Sequence, residues 1–406
     1  MTSFDSSPTL PVGRALLALA VVFVLLATTG WTTVRHHRGP GDLRARALNA
    51  WAHGRIGQRA LPDPASPAPR IAAFFDSIGP SSGTRLADAH PLVVGNLNGA
   101  PVTLRYRANR LSLARALAAE RGRVDDPRLN TAGRHEALRR VHRFMSLMRR
   151  GRQILAFDPT GPGRTAEVLG DLDRARRVSV IVPGVDTNLL TFQKTHGRYT
   201  APAGMAESLY AAERSAAPAS GTAVIAWADY TAPVGLGIDA ALGRLAENGA
   251  VRLVEMTDAL PGTSRIALFC HSYGSVLCGV AAHRLPARVT DMAVAGSPGM
   301  RVDSAAELST RARVWAMRDA DDWIRDVPNL EVGGVGHGAD PVAPEFGARL
   351  LSAAGAAGHA GYFEPGTESL DNFAAIGVGA YQDLTCAGAD GGCRRGISGA
   401  EGNIRA

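Results

Sequence analysis

The 406-residue chain is almost without lysine: Lys194 stands alone against 43 arginines. With so much alanine and glycine, this reads as coding bias rather than selection for arginine chemistry. Cysteine is scarce, and four residues exclude a disulfide-dense scaffold. Only 20% of residues are charged and 46% are hydrophobic, which excludes a wholly disordered chain and provides for a sizeable core. No His/Cys spacing suggests a metal site, and Cys270 and Cys278 read as core residues. There is no P-loop, and the Gly333–Gly338 run does not open a helix after a strand, so it is not a dinucleotide loop. No cofactor is implied.

The net charge of +7 conceals a gradient. Residues 35–155 carry 22 arginines against 8 acids, or +14, whereas residues 153–406 carry 21 basic and 28 acidic residues, or −7. The basic third has few aromatics to stack on bases, which argues against nucleic acid and leaves an anionic membrane surface as its partner. The extreme N-terminus favours that partner. Ala15 to Thr33 holds no charge and contains the run Ala15–Ala27, with Trp31 at an interfacial position. About 19 residues approach the ~20 that a helix needs to cross a bilayer. A cleaved signal peptide is the rival reading, but Ala27-Thr28-Thr29 is a poor cleavage site, and the expectation is a retained anchor. The arginines after the span favour a cytoplasmic body, while Cys386 and Cys393, close together in a Gly-rich tail, suit a disulfide loop in an oxidising compartment. The side of the membrane stays open.

The expected organisation is a tail (1–14), an anchor (15–33), a juxtamembrane stretch with a stiff Pro-rich linker at Leu61–Pro69 (34–70), a mainly helical part (71–152), an α/β domain (153–386) and a disordered tail (387–406). The basic face of the helical part reads as solvated. From residue 153 short apolar runs alternate with helical stretches. Strands are expected at Gln153–Phe157, Arg164–Gly170, Val178–Val182, Thr222–Trp227, Arg265–Phe269, Met292–Ala295 and Arg313–Met317, with a last one at Phe346–Ala354. Helices are expected near Ala203–Ser215, Ile238–Leu260, Tyr273–Leu285 and Ser369–Gly377. This pattern predicts an α/β fold with a mostly parallel sheet covered by helices on both faces, its chemistry on loops after the strands' carboxyl ends.

The clearest chemical signal is Cys270-His271-Ser272-Tyr273-Gly274, between an apolar strand and a helix. It is G-x-S-x-G with cysteine at the first glycine. The motif needs small residues two positions either side of the serine, because the strand turns abruptly into the helix and lifts the serine oxygen above the sheet. Cysteine is small enough to fit. Cys270→Gly should therefore be tolerated and Cys270→Leu should harm folding or activity. The plain alternative is a tight turn without chemistry.

A nucleophilic serine needs a base, and the base an orienting carboxylate, in the chain order Ser, acid, His. His271 lies in the elbow facing away from the serine. That order leaves His337 and His359, and His359, between the last expected strand and last helix, is the better placed. The acid should follow Arg313–Met317, where Asp319, Asp321 and Asp322 compete. Asp322 is favoured because Trp323-Ile324 could pack down and fix the loop. Oxyanion donors would be the backbone N–H groups of Tyr273, directly after the serine, and Val185, in the turn Pro183-Gly184-Val185 that follows an early strand.

These stretches resemble an uncharacterised α/β-hydrolase family of high-GC Gram-positive bacteria. The resemblance rests on Pro91–Pro101 with Arg105 and Ala108–Arg110, Ile154–Asp158, Val182–Gly184, His271–Ser275, Gly296–Gly299, and Gly358-His359 with Tyr362 and Ser369-Leu370. It covers roughly residues 71–381 and implies an α/β-hydrolase fold with Ser272, Asp322 and His359 as a triad; Cys270 departs from the family's glycine. The expected function is a membrane-anchored serine hydrolase acting on an acyl-containing small molecule or lipid, by cleavage of a carboxylic ester, thioester or amide. The alternative is a non-catalytic binding module of the same fold at the cell envelope.

Overall fold

The apolar runs assemble into one eight-stranded sheet. In a computed structural model, which describes residues 43–388 and 391–397, its strands are β1 (Gln153–Asp158), β2 (Arg164–Gly170), β3 (Arg177–Val182), β4 (Thr222–Ala228), β5 (Arg265–His271), β6 (Val289–Ala295), β7 (Arg313–Met317) and β8 (Arg349–Leu350). Their order is β8-β7-β6-β5-β3-β4-β2-β1. From β4 through β8 every pairing is parallel, while β2 runs antiparallel to both β4 and β1. The turn between β1 and β2 runs through Pro162-Gly163, and Gly163 at φ 77 takes a conformation that side-chain-bearing residues avoid.

The central strands are buried on both faces, as parallel strands covered by crossover helices must be. Alternate residues serve opposite cores. Val180, Val182, Leu268 and Cys270 belong to one, and Ile181, Ala267 and Phe269 to the other. The covering helices are α5 (Pro202–Ala216), α6 (Arg244–Asp258), α7 (Tyr273–Ala281) and α8 (Glu368–Val378), preceded by α1 (Leu43–Ala52), α2 (Ala68–Ala89), α3 (Val102–Val124) and α4 (Thr131–Leu147). This is the α/β-hydrolase arrangement.

Several expectations need correction. The last strand is only Arg349–Leu350, because Phe346 turns in a short helix and Gly347, at φ 82, reverses the chain. The long helix expected over Ile238–Leu260 breaks at Leu242, which has an extended backbone. The stretch Leu61–Pro69 is not a spacer. Trp51 is fully buried with Ile71, Phe74, Phe75 and Leu86, and its indole N–H donates to Pro62 O at 2.6 Å, so the segment before the prolines packs onto α2. The basic face of α4 is not simply solvated. Arg140 donates to Pro159 O at 2.7 Å and Arg143 to Leu190 O at 2.7 Å, tying α4 to loops of the sheet domain. In the tail, Cys393 is buried and disulfide-bonded to Cys386, and Arg349 donates to Cys393 O at 2.7 Å and to Arg395 O at 2.8 Å, so residues 391–397 lie against the domain. The expected anchor, residues 15–33, lies outside the described residues. Among those described, no helix is long and apolar enough to cross a membrane.

Candidate active site

Strand β5 ends at His271 and α7 starts at Tyr273, so Ser272 alone makes the turn. It does so at φ 56, ψ −130, a strained conformation for a residue with a side chain. Its N–H donates to Ala295 O at 3.0 Å, which pins the turn to the end of β6. A Cβ on Gly274 would lie 2.1 Å from Val182 O, so only glycine fits two residues after the serine. Two residues before it, Cys270 lies in the core as expected, and the structure adds a bond that the sequence reading did not name. Cys270 and Cys278 are both fully buried and joined by a disulfide, which straps the end of β5 to α7 across the serine.

The Ser272 hydroxyl donates to His359 Nε2 at 2.9 Å, and His359 Nδ1 donates to Asp322 Oδ1 at 2.8 Å. Asp322 is completely buried. Burial raises its pKa, but the hydrogen bonds from His359, from the Tyr362 hydroxyl at 2.6 Å and from Ile324 N–H outweigh that and hold the carboxyl below its ordinary range. The bond from Ile324 N–H caps the short helix Trp323–Asp326, so Asp322 is fixed by the turn that follows it. Asp319 and Asp321 are placed differently. Asp319 Oδ2 accepts from Asp321 N and from Gly358 N, both at 3.0 Å, and so ties the loop of Asp322 to the loop of His359. His337 donates through Nε2 to Ala240 O at 2.7 Å, and its ring packs on Tyr273 rather than meeting the serine.

Val185 lies in the turn after β3 and Tyr273 at the start of α7, directly after the serine. The turn after β3 is pressed against Ser272: a Cβ on Gly184 would sit 2.6 Å from Ser272 Cβ and 2.9 Å from its Oγ. Tyr230, buried and stacked on Trp227, donates to Pro183 O at 2.6 Å and holds that turn in place. Tyr273 supplies the first N–H of α7, a group with no acceptor inside its own helix.

Three further residues support these groups; the sequence placed His271 in the elbow facing away from the serine, but pointed to Tyr362 and Gly296 only through the resemblance. Tyr362 bridges Asp322 Oδ2 and Asp319 N, the latter at 3.0 Å. Gly296 has φ 56, and a Cβ there would come within 2.8 Å of Asp322 Oδ2 and 3.1 Å of His359 Nδ1. His271 faces away from the serine and donates through Nε2 to His359 O at 2.6 Å, holding the loop from the elbow side. Burial pushes its pKa down to about 4, so it is a neutral donor at physiological pH. The glycine at the end of β6 and the tyrosine three residues after His359 were the available signals, but neither is meaningful until the loops meet.

A serine hydroxyl bonded to an imidazole, whose other nitrogen meets a buried carboxylate, can pass its proton to the ring as the oxygen attacks an acyl carbon. Two surface cavities, of about 560 and 480 Å³, are lined by residues of α5 and α8 and of the C-terminal loop, away from these groups.

An alpha/beta hydrolase family model matches residues 158–332 of this chain. Two uncharacterized proteins from two strains of Mycobacterium tuberculosis are 27% identical to it over 378 residues, covering 79% of this chain and 57% of each relative. The chain thus spans a little over half the length of these relatives. Among solved structures, it is similar to a CIB-like hydrolase of Thermoplasma acidophilum, at 16% identity and a TM-score of 0.36, covering 57% of this chain and 98% of that one. It is also similar to a 2,6-dihydroxy-pseudo-oxynicotine hydrolase, at 11% identity and a TM-score of 0.36, covering 82% of this chain and 93% of that one. The family match supports a hydrolase.

Proposed function

We propose that the protein is a serine hydrolase that cleaves a carboxylic ester, or a thioester or amide, through an acyl-enzyme. Ser272 attacks the acyl carbon while His359 takes its proton, and Asp322 orients the ring and stabilises the imidazolium. The N–H groups of Tyr273 and Val185 receive the oxyanion. His359 then returns the proton to the leaving group, and a water activated by the same imidazole releases the acyl chain. The observation that supports this reading is the unbroken hydrogen-bonded chain from Ser272 through His359 to buried Asp322. A fluorophosphonate probe tests it. Labelling of the folded protein that disappears in Ser272→Ala is the expected result. Absence of labelling in folded protein refutes the reading in favour of a non-catalytic module.

The body is further proposed to be membrane-anchored through residues 15–33 and to face an oxidising compartment. The pairing of all four cysteines supports the second point. The full chain should resist extraction by high salt and alkaline carbonate. A chain beginning at Asp42 should be released and remain active. The cut belongs there rather than at the prolines, because starting at Pro62 would strip Trp51 from its core.

A further inference from the structure

Large apolar side chains exposed to solvent are unevenly spread. Among the described residues, most of those most exposed fall on two segments. One is the loop after β4, with Val234 at 79%, Leu236 at 68% and Ile238 at 59% exposure. The other is the loop after β7, with Trp323, Leu330, Val332 and Val335 at 41 to 71%. Isolated exposed hydrophobes need no explanation, but a cluster rimming a site does.

Both segments are bonded to the groups around Ser272. Val234 sits between Pro233, whose carbonyl accepts from Asp186 N at 2.8 Å, and Gly235, whose N–H donates to Asp186 Oδ1 at 2.7 Å. Asp186 directly follows Val185. Farther along the same loop, Leu242 O accepts from the Tyr273 hydroxyl at 2.9 Å. The second segment begins with Trp323, whose ring centroid lies 4.6 Å from that of His359. The two segments also meet: Leu242 bridges to Val335, and His337 donates to Ala240 O. The result is a rim bearing these apolar side chains that runs from beside the Val185 turn to the Trp323 ring against His359.

The charges on the 234–244 and 323–335 segments themselves each have an opposite partner, and Asp186 and Asp321 beside them are acidic. Arg244 lies 3.8 Å from Asp239, Arg325 lies 3.8 Å from Asp326, and Glu331 is held by Arg301 at 2.8 Å. The rim therefore offers apolar contact and no positive patch that would select an anionic partner. Side chains this exposed do not wall a closed tunnel for one acyl chain; they stand out from the surface as they would into an apolar layer.

We infer that the substrate is a long-chain acyl ester presented in a neutral or zwitterionic lipid surface, on which the 234–238 and 323–335 segments dock with Ser272 facing the ester. The inference rests on the serine hydrolase reading and adds the physical state of the substrate to it.

The test uses the full chain and three substrates: p-nitrophenyl palmitate carried in phosphatidylcholine vesicles, p-nitrophenyl octanoate below its aggregation limit, and p-nitrophenyl acetate. The vesicle-borne ester should be cleaved at least tenfold faster than the octanoate. Val234→Ser/Leu236→Ser/Ile238→Ser should lower the ratio of vesicle-borne to acetate turnover tenfold or more, and Val332→Ser/Val335→Ser, an independent variant on the other segment, should lower it in the same direction. Leu138→Ser/Met145→Ser, which removes exposed hydrophobes from α4, should leave the ratio unchanged. Two results overturn the inference: octanoate cleaved as fast as the vesicle-borne ester, which would mean that single chains are taken from solution, or a ratio that both folded rim variants preserve. Either result, with acetate turnover still dependent on Ser272, removes the lipid-surface proposal alone. Loss of Ser272 dependence on every substrate removes the hydrolase reading itself.

Discussion

The Cys270–Cys278 disulfide gives the elbow a measurable dependence. The bond closes a loop with a sequence separation of 8, from the penultimate residue of β5 to the second turn of α7, with Ser272 inside it. A loop of that size restricts the unfolded chain enough to stabilise the fold by about 2.5 kcal/mol. A serine held at positive φ carries strain of order 1–3 kcal/mol and persists only where its surroundings overdetermine it. The strap is thus comparable to the strain it spans. Cys270→Ala/Cys278→Ala should lower unfolding stability by about 2–3 kcal/mol. It should also lower the denaturant concentration at which activity fails by more than the midpoint of global unfolding. Cys270→Gly, tolerated on the sequence reading alone, should now be destabilising as well, since it breaks the bond and leaves Cys278 as a lone buried thiol. Guanidinium unfolding followed by circular dichroism, run beside ester hydrolysis at each denaturant concentration, measures both effects. An Ala/Ala variant that unfolds within about 0.5 kcal/mol of the unmutated chain and loses activity only on global unfolding would refute the reasoning.

His359→Ala should reduce ester turnover by about six orders of magnitude, as removal of the base of such a triad does, leaving only the roughly 10³- to 10⁴-fold residual rate over water. His337→Ala should keep most of the activity, with some loss of stability from its bond to Ala240 O; reversed outcomes in a steady-state assay would exchange the two residues. Tyr362→Phe removes a hydrogen bond to a buried carboxylate, typically ~1.5–3 kcal/mol, so kcat should fall roughly 10- to 100-fold while KM changes little. Glu213, buried between Ser179 and Thr222, has its pKa pushed up to about 7, chiefly by burial. Its contribution is complete below the unfolded value near 4.5 and is lost as pH rises through 7, so Glu213→Gln should gain on the unmutated chain by up to roughly 3 kcal/mol between pH 5 and 8. His271, shared by both chains, cancels in that comparison of melting curves.

What could be read from the sequence was what local geometry determines. The strand–Ser272–helix junction is legible because its residues are contiguous and their steric demands are local, and Gly274 against Val182 O is one such demand. Asp322 could be favoured among three neighbouring carboxylates, but what separates it from Asp319 is its bond with His359 Nδ1 and its cap to Ile324 N, which depend on how the turn folds. Residues whose meaning comes from loops meeting were not legible. Tyr362 is an ordinary tyrosine until the chain brings it to Asp322, 40 positions away, and Gly296 an ordinary strand-end glycine until His359 lies over it. The cysteines show the difference most directly. Cys386 and Cys393 stand in a Gly-rich stretch with a sequence separation of 7, where closeness along the chain is a fair guide to closeness in space. Cys270 and Cys278 are as near in sequence, but one is in a strand and the other in a helix, two elements that run apart unless the chain reverses between them. The reversal at Ser272 brings their Cα atoms to 6.5 Å. The motif that marks the serine therefore also implied the pairing of the cysteines, since a turn sharp enough to expose the hydroxyl folds α7 back along β5.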